Sequence, residues 1–165
     1  MFLSNADQQK KDFQPHPKGP CKGVCVEVIT HNKKTGEPYT KVNQQGEMKQ
    51  QLILAFQTEK KVEVEEGVFE HCVHWEWFNV PQTLQNENSK MHKFLNNWEV
   101  PIKEYPTQAA FENEVLGRPA YLVFTHSKSE DGKRVFSNLT SCTAVEDPKD
   151  AFVAVDYKPY NQQAV

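Results

Sequence analysis

The 165-residue chain predicts a mainly β fold, a small five-stranded barrel with a short helical insertion, and three observations lead there. Five stretches alternate their side chains with a period of two, the pattern of strands whose two faces are used differently. Between the third and fourth of them come apolar residues at helical spacing. Closing five short strands into a barrel would remove the exposed edges that an open sheet of this size has to protect.

Residues 1–20 are Gln- and Lys-rich and then carry Pro15, Pro17, Gly19 and Pro20, a composition that supports neither a helix nor a central strand, so a flexible N-terminal arm is expected. A first strand falls in residues 21–31, with Val24, Val26 and Val28 on one face and Cys25, Glu27 and Ile29 on the other. Residues 32–46 form a long polar connection around Thr35-Gly36-Glu37-Pro38, whose lysines and Tyr39 fit either solvent dressing or a mobile binding loop. The second strand, 48–58, places Met48, Leu52, Leu54 and Phe56 in one register and Lys49, Gln51, Ile53 and Ala55 in the other. An acidic connection over 59–70, with Gly67 for a turn, would repel a phosphate backbone lying close to it. In the third strand, 70–80, Val73, Trp75 and Trp77 oppose Cys72, His74, Glu76 and Phe78.

Pro81 ends that strand, and Ser89 caps a helix whose Met91, Phe94, Leu95 and Trp98 recur at i, i+3, i+4 and i+7. A second short helix over 107–116 buries Phe111, Val115 and Leu116 before Gly117 stops it and Pro119 forbids continuation. Residues 117–145 read as a β-hairpin: Tyr121, Val123 and Thr125 alternate with Leu122 and Phe124, Asp131-Gly132 makes the bend, and Val135 and Leu139 alternate with Phe136, Asn138 and Thr140. The order strand, strand, strand, helices, strand, strand makes the OB-fold the leading candidate, with an SH3-like barrel or an α+β sheet left open by periodicity alone. The organisation read from this is an arm (1–20), an OB-like domain (21–146) and a tail (147–165), whose Phe152, Val153, Val155, Tyr157 and Tyr160 are apolar enough to pack across the domain or against a partner.

A formal charge of −3 and a pI near 6.1 exclude coating of nucleic acid by bulk positive charge, so any anion site has to be local. A hydrophobic fraction of 38% and a mean hydropathy of −0.72 predict an ordered part smaller than the chain. No apolar run reaches the length of a membrane span, and the first residues lack the basic and apolar regions of a signal peptide; a cytoplasmic protein with reduced cysteines is expected. Cys21, Cys25, His71, Cys72, His74 and Cys142 could ligate zinc if strands converged. No tight Cys-x2-Cys pair exists, however, and Cys21 and Cys25 would stand about 13 Å apart along a strand at ~3.3 Å per residue, so no metal or cofactor is expected. With no phosphate-cradling Gly loop, no Gly-x-Ser-x-Gly elbow and no His-Glu-x-x-His helix, the reading is non-enzymatic.

Phe13-Gln14-Pro15-His16-Pro17-Lys18-Gly19 before a Cys/Val-rich strand, the Ser89 to Trp98 helix, Leu116-Gly117-Arg118-Pro119-Ala120-Tyr121-Leu122-Val123, Asp131-Gly132-Lys133 and Asn138-Leu139 together cover most of residues 13–145. Their order and spacing resemble the OB-like single-stranded-DNA-binding proteins of tailed-bacteriophage replication and recombination modules. Met91 stands where that group prefers Leu, and the tail lacks a concentrated acidic end. The resemblance implies binding of single-stranded DNA, largely independent of sequence, in the cytoplasm of a bacterial host, with replication or recombination proteins as further partners.

Such binding needs π faces for bases and scattered cations for phosphates. The candidates are Tyr39, Trp75, Trp77, Tyr121 and Phe136 as rings, and Lys41, Lys49, Lys128, Lys133 and Arg134 as cations. Trp75 and Trp77, at i and i+2 beside Val73, form a pattern more often found in a core, whereas Phe136 beside Lys133 and Arg134 suits either role. A different class of function, a non-catalytic module docking on a replication or recombination enzyme through its tail and helix, fits the net negative charge. A continuous basic and aromatic groove favours DNA, and an exposed apolar patch beside 151–160 favours a protein partner.

Overall fold

The computed structural model describes residues 14–160; residues 1–13, with Lys10, Lys11 and Phe13 of the expected arm, and residues 161–165 lie outside the described residues. Six antiparallel strands make one sheet: β1 (Gly19–Ile29), β2 (Thr40–Val42), β3 (Met48–Glu65), β4 (Val68–Asn79), β5 (Pro119–Lys128) and β6 (Val135–Ala144). Two helices, α1 (Lys90–Asn97) and α2 (Gln108–Val115), stand between β4 and β5 in the chain, as expected. Across the sheet the order is β4-β3-β1-β5-β6, and the short β2 continues the β1 side of β3.

The expected five-stranded barrel does not close, since no ladder joins β4 to β6. α1 packs against both of these strands instead and fills the place of the missing ladder with side chains. Its Ser89 cap accepts a hydrogen bond from the His92 N–H at 3.1 Å, which satisfies one of the first-turn donors and starts the helix where the apolar stripe begins. Met91, Leu95 and Trp98 then enter the core with Leu52, Leu54 and Phe56 of β3 and Leu122 and Phe124 of β5. Trp98 is fully buried, and its indole N–H donates to the Pro119 carbonyl at 2.9 Å, so the largest core side chain leaves no polar atom unpaired. Thr107 caps α2 in the same way through the Ala110 N–H, and Gly117 leaves the helix at φ +79°, a left-handed turn that a Cβ disfavours. From there the Gly117 N–H donates to the Cys25 carbonyl and the Cys25 N–H to the Arg118 carbonyl, which docks the start of β5 on β1.

Four local expectations change. β1 begins at Gly19, inside the expected arm; at that end it pairs only with β5, so the missing N–H of Pro20 leaves no β3 ladder incomplete. Residues 40–42, expected as connection, form β2 against Met48–Gln50. The acidic 59–70 stretch is the far end of a β3–β4 hairpin, with Val62 against Glu70 and Glu63 against Phe69, turned at Gly67 (φ +78°). The last residues before β1 are anchored: the buried His16 ring stacks on Phe124 at 3.8 Å and its Nε2 meets the Thr58 hydroxyl at 2.7 Å.

Alternation in the 48–58 strand makes one face of β3 the more apolar. The strand buries both from Leu52 to Thr58, because the C-terminal tail lies across the outer side. Gln57 clamps that tail as another strand would, donating to the Val155 carbonyl at 2.8 Å and accepting from its N–H at 2.7 Å. One carboxylate oxygen of Glu27 accepts from the Tyr157 hydroxyl at 2.5 Å and from the Tyr160 N–H at 2.6 Å. Tyr160 thereby closes a second, outer cluster with Ile29, Ile53, Ala55 and Trp75.

Candidate nucleic-acid interface

Alternation along β2, β3 and β4 sorts the outer face into cross-strand rows. Trp75 pairs with Ala55, Trp77 with Ile53, Asn79 with Gln51, and Lys49 with Lys41. Because strand residues two apart share a face, these rows follow one another at about 7 Å: two tryptophans, an amide pair, then a lysine pair. Tyr39 joins the aromatic end, its backbone carbonyl accepting from the Gln51 N–H and its ring meeting Trp77 edge-on at 5.1 Å. Tyr160 reaches the same cluster from the tail, 5.0 Å from Trp75, with its hydroxyl 3.0 Å from that of Tyr39. Burial, with the Tyr160 hydroxyl beside it, pushes the Tyr39 phenol up to about 12, so it stays a neutral ring near neutral pH.

Trp75 therefore belongs to the outer cluster, Trp77 meets its ring edge-on beside it, and neither is in the main core, whose tryptophan is Trp98. Trp75 is half-buried under the tail, whereas Trp77 is 38% exposed and has no ring stacked parallel to it. Beside Trp77 opens a groove of about 800 Å³ lined by Lys41, Lys49, Gln51, Asn79 and Lys90. The three cations differ. Lys90 is committed to Glu76 at 2.7 Å and to the Trp77 carbonyl at 2.7 Å, and it rests over the Phe78 ring. Burial opposes the charge of Glu76, but bonds from His74 and Lys90 outweigh it and hold the carboxyl below its ordinary range. Lys49 has only Glu47 at 3.9 Å, and Lys41 makes no ion pair among the described residues, so these two are the cations open to an anion.

The other half of the expected site lies elsewhere. Lys128, Lys133, Arg134 and Phe136 occupy the tip of the β5–β6 hairpin, where Phe136 is 46% exposed and Asp131 ties the turn by accepting from the Ser129 hydroxyl and the Lys133 N–H. Trp77 stands level with Ile29 at one end of β1, and Phe136 beyond the level of Gly19 at the other. That is more than ten residues of strand, roughly 40 Å at ~3.3 Å per residue. Tyr121 stands between, on β5, with its hydroxyl 3.4 Å from Asp150. Its partial burial and that carboxylate raise the phenol, and the same negative charge disfavours a phosphate there. The candidate rings and cations therefore fall in separate patches, of which the β2–β4 face holds the groove.

Gln51, Asn79, Lys90 and Tyr160 line or support that groove without having been expected to. Gln51 shares the register of Lys49, and Asn79 that of Trp77, so both were readable as face residues; Lys90 and Tyr160 arrive through tertiary packing, which periodicity does not carry. Among the described residues no three His, Cys, Asp or Glu side chains are grouped so as to hold a metal ion. Burial pushes the thiols up, Cys21 to about 11 and Cys25 to about 12. No helix among the described residues is long and apolar enough to cross a membrane. No family model matches the chain, and no curated protein does either.

Proposed function

We propose that the protein is a non-enzymatic, OB-like single-stranded-DNA-binding protein of a phage replication or recombination module, acting in the cytoplasm of the bacterial host. The observation that carries this reading is the row of exposed Trp77, an amide pair and the Lys41–Lys49 pair along one groove. A base stacks on Trp77, with Tyr39 edge-on beside it, and phosphates meet Lys41 and Lys49, a mode that tolerates any base because every base has a π face. The strand order supports the fold part of the reading: β4-β3-β1-β5-β6 with all neighbours antiparallel is the order of a five-stranded OB barrel short of its last ladder. A net charge of −3 makes the local lysines matter more, because the chain's overall charge does not attract the strand from a distance.

Fluorescence anisotropy of a labelled dT oligomer across a salt series tests this. Binding that weakens steeply with salt is expected, and Trp77→Ala should weaken it by ~1–3 kcal/mol, the usual cost of losing one stacked base. Arg134→Ala and Phe136→Ala, on the remote hairpin, should change it little. Absence of binding at low salt refutes the proposal.

A second reading, docking on a replication or recombination enzyme, has one observation in its favour. Val153 and Val155 of the tail are 73% and 44% exposed, and Val73 on the same outer face is 41% exposed. An apolar strip of this kind suits a protein partner more than a phosphate backbone.

A further inference from the structure

We propose that two copies of this chain associate head to head about a two-fold axis, the acidic tip of the β3–β4 hairpin of each copy lying on the basic tip of the β5–β6 hairpin of the other. Both hairpins leave the same end of the sheet. β1 pairs with β3 only as far as Gly23 opposite Thr58, and with β5 as far as Gly19 opposite Phe124, so the turns at Gly67 and Gly132 both stand beyond the start of β1. Between them runs the chain that enters β1. The Gln14 side-chain amide donates to the Glu63 carbonyl at 3.3 Å, and the His16 carbonyl accepts from His126 Nε2 at 2.6 Å. Within one copy the hairpins are thus bridged by other residues, and no ladder joins β4 to β6.

The two tips carry opposite charge and the same apolar pair. Past Lys60 and Lys61, the first presents Glu63, Glu65, Glu66 and Glu70. The second presents Lys128, Lys133 and Arg134 against Glu130 and Asp131, and Asp131 is spent on the Ser129 hydroxyl and the Lys133 N–H. None of these charges makes an ion pair among the described residues. Val68-Phe69 on the acidic hairpin and Val135-Phe136 on the basic one are all exposed, Phe69 at 58%. Each pair begins a strand at the rim of the sheet, β4 or β6, whose outer edge has no ladder.

Exposed apolar side chains rimmed by charge mark an interaction surface, and here the charges say with what. A two-fold axis midway between the tips exchanges left and right, so both acidic-on-basic contacts form at once and the pair is closed. Opposite potentials at both contacts favour this arrangement over like tip on like tip. The Trp77 grooves stay at the far ends of the pair, so the association does not depend on the nucleic-acid reading. Hairpin tips bury less than the ~1,600 Å² of a standard interface, which places the dimer Kd at about 10–100 µM.

Sedimentation velocity over a concentration series up to ~300 µM tests this, and a monomer–dimer equilibrium that weakens as salt rises is expected. Lys133→Glu with Arg134→Glu, and separately Glu65→Lys with Glu66→Lys, reverse one tip each; these side chains make no bond among the described residues, and folding is checked by melting temperature. Each reversed variant alone should dimerise about tenfold more weakly or not at all. An equimolar mixture of the two restores opposite charge at both contacts and should dimerise as the unchanged protein does. A purely monomeric unchanged protein, a dimer that either reversal leaves intact, or a mixture that fails to recover overturns the inference.

Discussion

Replacing Glu27 with alanine should release the C-terminal tail without unfolding the sheet. The carboxylate accepts two short bonds, from the Tyr157 hydroxyl and the Tyr160 N–H, and both end on the same oxygen. Bonds to a charged group contribute ~1.5–3 kcal/mol each, and because Glu27 is only half-buried we halve the sum, giving about 1.5–3 kcal/mol for the pair. At Val155 the tail then keeps the Gln57 clamp, two neutral bonds of ~1 kcal/mol each, while Tyr160 keeps its packing on Trp75 and its hydroxyl contact with Tyr39. Native-state hydrogen exchange reads the result at the Val155 amide, whose own bond to Gln57 the substitution does not touch. If residues 151–160 open as one unit, Val155 exchanges roughly 10- to 150-fold faster, since each 1.4 kcal/mol is tenfold, while amides of β1 and β3 keep their protection. Unchanged Val155 exchange, with faster exchange at Tyr160 alone, would refute the cooperative strap.

Gly23→Ala should destabilise the protein by ~1–3 kcal/mol, the usual cost of overpacking, because a Cβ there meets Leu122 Cδ1 at 2.6 Å and the Gln57 carbonyl at 3.2 Å, and Leu122 is fully buried. Urea denaturation measures it, and an unchanged midpoint would show that the β1–β5 contact is loose. Stability should also fall on mild acidification. Burial, and the nearby His74, Lys60 and His126, lower His16 from its ordinary 6.5, so the unfolded chain takes up a proton before the folded one does. The contribution of His16 is then complete above pH 6.5 and declines as pH falls from there towards the lowered folded value. His16→Gln should flatten that part of the urea-midpoint profile between pH 7.5 and 5.5, and an unaltered profile counts against the argument.

Local signals carried well. The Ser89 cap, the apolar stripe to Trp98, the second helix from near residue 107 and the bend at Asp131-Gly132 all depend on residues within a few positions of one another, and each stands where the spacing put it. β2 escaped detection because its three residues are all exposed and too few to show alternation, and become a strand only by pairing with Met48–Gln50. Barrel closure failed for a related reason: alternation tells which residues share a face, not whether β4 meets β6 or a helix lies between them. The candidate site suffered most. Period-two reasoning correctly set Lys49 with Gln51 and Trp75 with Trp77, yet it assigns no distance between Trp77 and Phe136, and the two stand at opposite ends of the sheet. Tyr160 was assigned to an apolar tail, and only the sheet's outer face makes it a neighbour of Tyr39 and Trp75.

The central place of β1 bears on the order in which the molecule is made. β1 leaves the ribosome first among the strands, and β3 soon supplies one of its ladders. Its other ladder waits for β5, and Glu27 waits for Tyr157, 130 residues downstream. Until then the β1–β3–β4 meander exposes one long edge and an uncovered outer face, a species whose non-local closure is slow and whose bare strand invites pairing with other chains. Residues 151–160, made after every strand of the sheet, are thus those that hide the surface most prone to aggregation, and a ribosome stalled short of them leaves that surface open.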